Sequence, residues 1–342
     1  MPKVRFGVIG TNFISDWVMA GAAEDSRFEL TAVCSRSEAT GRSFAERHAP
    51  DAKVFTSVDE LAASDCVDAV YIAVPNFLHA SYSIKCMSGG KHVLCEKPLA
   101  SNAAEALTMI EASRRYGVAL MEAMKPTMTP NFGVVRDNLG RLGKVRRYSA
   151  TYCQYSSRYD RFKNGELPNA FNPAMSNGAI MDIGVYTIYP MVVLFGRPDK
   201  ITASGLLLSS GADGQGSAMF SYDGMEANVM YSKIADSKLR SEIQGEEGLL
   251  SLDTINRMGD IRFSPRAANL GGGLTSGSTV ENLSVTPSHN EYYYEIAEFI
   301  TMIEEGRIES STNSHLNSLI TMEIIDEIRR QTGVVFPADR QQ

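Results

Sequence analysis

Strand-like and helix-like segments alternate without interruption through the first 124 residues of the chain. Short apolar segments at 4–9, 28–34 and 118–123 are separated by stretches of helical length. The segment VDAVYIAV at 67–74 is apolar almost throughout, which is typical of a strand buried on both faces of a parallel sheet. The alternation therefore predicts a doubly wound α/β domain, in which helices cover both faces of a parallel sheet.

The pattern changes after residue 124, where the segment KPTMTP carries two prolines. Beyond residue 144, long segments alternate apolar and polar residues between Gly and Asp turns, and helical patterns return after residue 290. The segment GGGLTSGST at 271–279 predicts a loop. Such alternation favours a mostly antiparallel sheet with one exposed face. We therefore predict two domains, a nucleotide-binding domain at 1–124 and an α+β domain at 125–342.

The composition excludes several classes of function. A net charge of −7 and the lack of any basic run argue against a nucleic-acid-binding surface. No apolar run approaches the roughly 18 residues of a membrane span, and MPKVRFGVIG is not a leader pattern, so we expect a cytoplasmic protein without membrane contacts. The five cysteines lack CxxC or zinc-like spacing, which predicts buried, reduced thiols and no metal site.

The turn after the first strand is the predicted dinucleotide site. In GVIGTNFIS, Gly10 occupies the first position of the G-x-G-x-x-G pattern, whereas Asn12 and Ser15 replace the second and third glycines. Asn tolerates the left-handed backbone region and Ser is small, so the turn could still bring a pyrophosphate to a helix N-terminus. A tight turn without a ligand is the alternative. The predicted cofactor contacts here are Gly10, Thr11, Asn12, Phe13 and Ile14.

The end of the second strand bears on the choice between NAD and NADP. NAD-selective sites usually place Asp or Glu there to hold the ribose 2′-hydroxyl, but this chain has Ser35 and Arg36. A hydroxyl and a guanidinium can bind a 2′-phosphate, and Arg can also stack on adenine. We therefore predict NADP in preference to NAD, with a surface arginine of no special role as the alternative.

Two further strand ends carry polar residues. Pro75 and Asn76 follow the apolar run at 67–74, and ligands bind at the carboxyl ends of strands in open α/β sheets. The segment KHVLCEKPLAS at 91–101 places an acid and a base together at a strand end, before a proline that restricts the backbone. A glutamate beside a lysine is usually a solvated pair, so a chemical role needs support from elsewhere in the chain.

That support comes from the segment NGAIMDIGVYTIYP at 177–190. Along the chain, the strand-end motifs described above come first, the Glu-Lys-Pro block follows them, and this segment comes last. With these motifs the sequence resembles the glucose–fructose oxidoreductase, inositol dehydrogenase and rhizopine-catabolism (Gfo/Idh/MocA) family over essentially its whole length. The resemblance implies a Rossmann domain followed by a domain with a large open sheet, a nicotinamide cofactor, and sugar, polyol or vicinal-diol substrates in hydroxyl or carbonyl form. It also implies homodimers or homotetramers that pack through the open sheet.

The resemblance assigns roles to particular residues. Tyr186 is the acid/base and places the chain in the branch of glucose–fructose oxidoreductase and dimeric dihydrodiol dehydrogenase. A tyrosine pKa near 10 is high for base catalysis, so Lys97 is expected to lower it. If this stretch is helical, Asp182 shares a face with Tyr186, and as a third catalytic candidate it would orient substrate hydroxyls or assist proton transfer. The expected contacts near the nicotinamide are Pro75, Asn76, His79, Glu96 and Lys97.

Several alternatives stay open at this point. Tyr186 could be a core tyrosine, Asp182 a helix cap, and Glu96 only a partner for nearby cations. The segment 155–172 resembles a polar substrate lid or an exposed loop, and its candidate substrate contacts are Arg158, Arg161 and Asn172. At the level of function, the alternatives are a non-catalytic NAD(P)-binding sensor and an enzyme of the same fold with another task, such as biliverdin reduction or glycosidic cleavage through transient oxidation.

Overall fold

The computed structural model of the chain describes residues 3–266 and 279–340. The loop predicted at 271–279 lies outside the described residues, except for its last residue. Two sheets organise the described chain, a parallel sheet built from the first part and a mostly antiparallel sheet built from the second. Both predicted sheet types are therefore confirmed, whereas the boundary between domains at residue 124 stays a prediction.

The first sheet has six parallel strands in the order β3-β2-β1-β4-β5-β6. Its strands are β1 (Val4–Ile9), β2 (Phe28–Cys34), β3 (Lys53–Phe55), β4 (Ala69–Ile72), β5 (His92–Glu96) and β6 (Leu120–Ala123). Its helices are α1 (Phe13–Ala22), α2 (Glu38–His48), α3 (Val58–Ala63), α4 (His79–Ser88) and α5 (Ala103–Tyr116). The strand order reverses between β1 and β4, so the crevice for a ligand opens at the carboxyl ends of these two strands.

The second sheet has eight strands in the order β14-β13-β12-β11-β7-β10-β9-β8, and β7 and β10 are its parallel neighbours. Its strands are β7 (Val145–Cys153), β8 (Lys200–Leu207), β9 (Asp213–Tyr222), β10 (Met225–Ser232), β11 (Ser241–Gly245), β12 (Gly248–Leu252), β13 (Arg262–Pro265) and β14 (Glu281–Asn282). The remaining helices are α6 (Pro130–Asp137), α7 (Tyr159–Lys163), α8 (Val185–Phe195), α9 (Tyr293–Glu304) and α10 (His315–Thr332).

One face of the second sheet is covered and the other is exposed. Helix α8 packs on the inner face, where the Tyr148 hydroxyl donates to the Thr187 carbonyl at 2.9 Å. On the outer face Met219 and Leu206 are exposed by 60% and 46%. This difference agrees with the alternation in the sequence, and it leaves an apolar surface of the kind that oligomers bury.

Helix α9 returns to the first sheet although it follows the second in sequence. Its Phe299 ring lies 6.1 Å from the ring of Phe6 in β1, and Ile296 packs in the same core. The chain therefore crosses between the two sheets more than once, and residues near 291–295 reach the carboxyl ends of the parallel strands.

The predicted burial of the five cysteines is confirmed for three of them. Cys34, Cys86 and Cys95 are buried and unpaired, but Cys66 and Cys153 are half-buried, so burial was predicted wrongly for two of the five. Within residues 3–266 and 279–340, no helix has the length and apolar character needed to cross a bilayer.

Candidate active site

The turn between β1 and α1 has the shape that a dinucleotide requires. Gly10 has a φ of +103°, and a Cβ there would collide with the Ala73 carbonyl oxygen at the end of β4. The Asn12 side chain donates to that oxygen at 2.8 Å and accepts from the Ile14 N–H at 2.9 Å, so it caps α1. The backbone of Asn12 is extended, and the expected left-handed conformation is therefore wrong. Ser15 is buried and donates to the Gly10 carbonyl at 2.7 Å.

The same turn leaves polar groups available to a ligand. Within the described ranges, the backbone N–H groups of Thr11 and Phe13 have no hydrogen-bond acceptor. They stand at the N-terminus of α1, where the helix dipole favours an anion. This is the arrangement that a pyrophosphate needs, so the residues present fit a dinucleotide cofactor.

A cluster of hydroxyl groups lies at the end of β2. The Ser35 hydroxyl is 2.6 Å from the Thr40 hydroxyl and 3.4 Å from that of Thr11. Arg36 beside it is exposed and makes no side-chain hydrogen bond within the described part of the chain. Hydroxyl groups and an exposed guanidinium at this position suit the 2′-phosphate of NADP better than the 2′-hydroxyl of NAD.

His79 does not have the position that was predicted for it. Its side chain is fully buried, and its two ring nitrogens lie 2.9 Å from the carbonyl oxygens of Pro98 and Val74. Burial lowers the pKa of this imidazole. The prediction that His79 contacts the cofactor is therefore wrong, because the ring joins the end of β4 to the segment after Lys97 instead. Asn76, in the preceding turn, donates to the Ser176 carbonyl at 2.8 Å.

Lys97, Asp182 and Tyr186 come together at the carboxyl end of β5. The Lys97 ammonium donates to the Asp182 carbonyl at 2.8 Å and to its carboxylate at 3.2 Å. It also lies 4.9 Å from the centre of the Tyr186 ring. Residues 85 positions apart thus meet at the edge of the sheet where the crevice opens.

A second lysine completes this cluster. Lys233 follows β10, is 3% exposed, and pairs with the other carboxylate oxygen of Asp182. Its ammonium also lies 5.4 Å from the centre of the Phe171 ring. Lys233 is not among the residues predicted from the sequence, where its position directly after an alternating strand is the single signal for it.

The backbone around Asp182 differs from the expected α-helix. Residues Ile180–Gly184 form a π-helical turn that continues into α8. The turn is therefore π-helical where an α-helix was expected, and Asp182 and Tyr186 nevertheless both face Lys97, as the i, i+4 spacing predicted. Asp182 caps neither helix, since its carboxylate pairs with the two lysines, so the helix-cap alternative is wrong. π-Turns inside helices often occur at functional sites.

Charges at the cluster are strongly coupled. Burial alone would raise the pKa of Asp182, but the charges of Lys233 and Lys97 outweigh it and hold that pKa well below its usual range. For Lys97, burial lowers the pKa and the Asp182 and Glu96 carboxylates raise it, with a net increase. Asp182 is therefore ionised and Lys97 is protonated at neutral pH.

Tyr186 has the opposite environment from the one expected. Burial, followed by the charge of Glu96, raises the pKa of Tyr186 well above its usual value. The predicted lowering by Lys97 is not seen, because the ammonium faces the ring and bonds to Asp182 instead of the hydroxyl. The Tyr186 hydroxyl is consequently protonated at neutral pH and available as a proton donor.

Glu96 points into the protein beneath this cluster. The residue is 9% exposed, and its carboxylate accepts from the Tyr71 hydroxyl at 2.6 Å. Burial raises the pKa of Glu96. A second ion pair lies nearby, between Lys125 and Glu291 at 2.7 Å, and Lys125 also lies 4.4 Å from the centre of the Tyr292 ring. The hydrogen bonds made by Glu96 are thus internal. The neighbouring pair of Lys125 and Glu291 is not among the residues predicted from the sequence.

The three predicted substrate contacts have different surroundings. Arg158 lies over the ring of Phe13 at 5.7 Å, so it reaches the first residue of α1. Arg161 is exposed and bonds to Glu166 at 2.8 Å, and Asn172 accepts from the Ala174 N–H at 3.0 Å. Arg161 and Asn172 therefore contact residues that are close to them in sequence. Phe171, in the same segment, has its ring beside the Lys233 ammonium.

An open groove of about 350 Å³ lies beside Tyr152, and Lys97, Asp182, Tyr186 and Lys233 are not among its lining residues. Tyr152, at the end of β7, lines the groove, and its ring meets that of Tyr186 edge-on at 5.7 Å. We call this cavity the polar groove. Its polar lining includes Thr151, Tyr152, Gln154, Asp253, Asn256 and Arg257.

Comparisons with known proteins agree with this architecture. The family model described as "Oxidoreductase family, NAD-binding Rossmann fold" matches residues 4–124, and that of the "GFO/IDH/MocA C-terminal domain" matches residues 138–251. The scyllo-inositol 2-dehydrogenase (NADP(+)) IolU of Bacillus subtilis (strain 168) is 48% identical, covering 98% of this chain and 99% of the relative. The uncharacterized oxidoreductase YgjR of Escherichia coli (strain K12) is 43% identical, with 98% of each chain covered.

Solved structures share the fold at lower identity. Levoglucosan dehydrogenase in complex with NADH and levoglucosan has a TM-score of 0.84 at 19% identity, with 97% of each chain covered. The 3-ketoreductase KijD10 from Actinomadura kijaniata, in complex with NADP and TDP-benzene, has a TM-score of 0.82 at 22% identity. That match covers 96% of this chain and 98% of the other. At this level of identity, the likeness concerns the fold alone.

Proposed function

The chain belongs to the Gfo/Idh/MocA family of oxidoreductases, and from this premise we propose that it interconverts a hydroxyl and a carbonyl group on a sugar, polyol or vicinal diol. The observation that carries the proposal is the convergence of Lys97, Asp182 and Tyr186 at the carboxyl end of β5. The 48% identity to a scyllo-inositol 2-dehydrogenase supports a cyclic polyol as the first substrate to test.

We propose NADP as the cofactor in preference to NAD. The N–H groups of the turn after Gly10 would hold the pyrophosphate, and the Ser35 hydroxyl with Arg36 would hold the 2′-phosphate. When bound, the dinucleotide supplies or accepts the hydride. Fluorescence titration with NADPH and NADH tests the preference, and tighter binding of NADH would contradict it.

Tyr186 is assigned the proton transfer. With its pKa raised by burial, the phenol holds its proton at neutral pH and can donate it to the oxygen of a carbonyl that is being reduced. In the oxidative direction the phenol oxygen has to accept a proton, and a shift of Lys97 from the ring face toward that oxygen would stabilise the phenolate. Asp182 keeps Lys97 charged and fixes its position.

Steady-state kinetics with scyllo-inositol and NADP test this assignment. We expect Tyr186→Phe to lower kcat by about 10²–10⁴-fold, the usual contribution of a general acid or base. Tyr116→Phe, at an exposed tyrosine, is the matched control and should behave like the wild type. Near-full turnover by Tyr186→Phe, or a Lys97→Ala variant that loses only cofactor affinity, would show that the assignment is incorrect.

We also propose that the protein forms a homodimer or homotetramer through the outer face of the second sheet. Met219 and Leu206 form exposed apolar surface on β9 and β8, which assembly would remove from water. Light scattering coupled to size exclusion should give a dimer or tetramer mass, and Met219→Lys should reduce it. A monomeric wild type at micromolar concentration would refute this part of the proposal.

A further inference from the structure

The chain between β7 and the π-helical turn crosses the crevice at the carboxyl ends of β1 and β4. We call residues 155–176 the bridging segment. On one side of the crevice, the guanidinium carbon of Arg158 lies 5.7 Å from the ring centre of Phe13, the first residue of α1. On the other side, the Ser176 carbonyl accepts from the Asn76 side chain, in the turn after β4, at 2.8 Å. The bridging segment therefore contacts both sides of the crevice in which a dinucleotide would lie.

Aromatic packing anchors the bridging segment beside the catalytic cluster. The rings of Tyr159, Phe162 and Phe171 lie 5.4 to 6.1 Å apart. Phe171 is fully buried, and its ring centre lies 5.4 Å from the Lys233 ammonium. The Ser156 N–H donates to the Lys233 carbonyl at 2.9 Å. The backbone on either side of residue 158 is thus held in place, while the side chain at that position is exposed.

Arg158 is the cation of the bridging segment that has no anionic partner in the described part of the chain. The Arg161 guanidinium bonds to Glu166 at 2.8 Å, and the Lys163 ammonium bonds to Asp160 at 2.7 Å. The Arg158 guanidinium has neither an ion pair nor a hydrogen bond within residues 3–266 and 279–340. It is therefore available to an anionic ligand, to which its planar fork can donate two hydrogen bonds.

The diphosphate of the cofactor is the anion that this guanidinium can reach. A diphosphate oxygen that accepts from the Phe13 N–H would lie about 3 Å from that nitrogen, on the same residue whose ring contacts Arg158. The Phe13 ring is 52% exposed and packs edge-on against Trp17 at 5.0 Å, so it forms a surface that holds the guanidinium beside the turn. The helix dipole and the free N–H groups would stabilise the diphosphate on one side, and Arg158 on the other.

We propose that Arg158 binds the diphosphate of the dinucleotide from the side opposite α1, so that the bridging segment retains the cofactor. The inference rests on the proposed placement of the diphosphate at the turn after Gly10. It gives Arg158 a role in cofactor binding in place of the predicted substrate contact. Because NADP and NAD share the diphosphate, Arg158 binds both alike, whereas Arg36 acts on the 2′-phosphate.

Isothermal titration with three ligands tests this assignment. The ligands are NADPH, NADH and adenosine 2′-monophosphate, which carries the 2′-phosphate but no diphosphate. Arg158→Gln should weaken the binding of NADPH and NADH by the same factor of about 10–100, the effect of losing a hydrogen bond to a charged group. It should leave the affinity for adenosine 2′-monophosphate unchanged. Arg36→Gln should instead weaken adenosine 2′-monophosphate, and NADPH more than NADH.

A matched control comes from the same segment. Lys163→Gln removes one positive charge from an exposed ion pair, and its affinities should equal those of the wild type. An unchanged NADPH affinity in Arg158→Gln, a loss confined to NADPH, or an equal loss in Lys163→Gln would overturn the inference.

Turnover separates the inference from the proposed function. Oxidation of scyllo-inositol by a wild type whose NADPH affinity does not respond to Arg158→Gln would overturn the inference alone. The expected losses of NADPH and NADH affinity, in a protein that oxidises no sugar, polyol or vicinal diol, would support the inference and refute the proposed function.

Discussion

Replacement of Lys233 by methionine tests the electrostatics of the cluster directly. The side chain of Lys233 is 4% exposed and pairs with an Asp182 side chain that is 34% exposed. Breaking a fully buried pair costs about 3–5 kcal/mol when the remaining charge is left alone. In this variant Asp182 would keep its ion pair with Lys97 at 3.2 Å, and its side chain contacts solvent. We therefore expect a smaller loss in the free energy of unfolding, about 2 kcal/mol.

The expected readout is thermal unfolding. A loss of about 2 kcal/mol corresponds to a decrease in Tm of about 4–8 °C for a domain of this size. Lys163→Met is the matched control because Lys163 forms an exposed pair with Asp160, and its Tm should equal that of the wild type. A Lys233→Met variant that melts with the wild type and with the control would refute the reasoning.

The pH dependence provides a second check on the same variant. Because the folded-state pKa of Asp182 is below its unfolded value, the pair stabilises the protein fully above an ordinary Asp pKa of about 3.9. The stabilisation is lost only as the pH falls through the folded-state pKa. The difference in Tm between Lys233→Met and the wild type should therefore stay constant between about pH 8 and pH 5.

Three further predictions concern the nucleotide turn and a buried acid. Gly10→Ala should abolish NADP binding in a titration, because its Cβ would collide with the Ala73 carbonyl, and retained affinity would contradict this account of the turn. Ser35→Asp should move the ratio of NADPH to NADH affinity toward NADH by at least about tenfold, since a carboxylate repels the 2′-phosphate; an unchanged ratio would count against the site. Burial raises the pKa of Glu122 to about 7, so the folded protein binds a proton there that the unfolded chain releases, and stability falls as the pH rises toward 7. Glu122→Gln should weaken that decrease in Tm, and an equal slope in both proteins would contradict it.

The sequence by itself determined the order and type of the elements. The strand bounds of β1 and β2 agree with the predicted 4–9 and 28–34, and the alternation after residue 144 correctly indicated a sheet with one exposed face. These features are legible because burial on one or both faces imposes a local periodicity on side chains. The grouping of Lys97 with Asp182 and Tyr186 was also anticipated, since Lys97 stands in the Glu-Lys-Pro block and the other two share the motif at 177–190.

Only the tertiary structure decided which other side chains share the site. Lys233 and Lys125 have no local signal that separates them from surface residues, because their roles depend on partners that are distant in sequence. The burial of His79 and the π-turn at Ile180–Gly184 likewise follow from long-range packing. Burial and pairing set the charge state of a titratable group, and for Tyr186 they reversed the direction of the pKa shift that the sequence suggested.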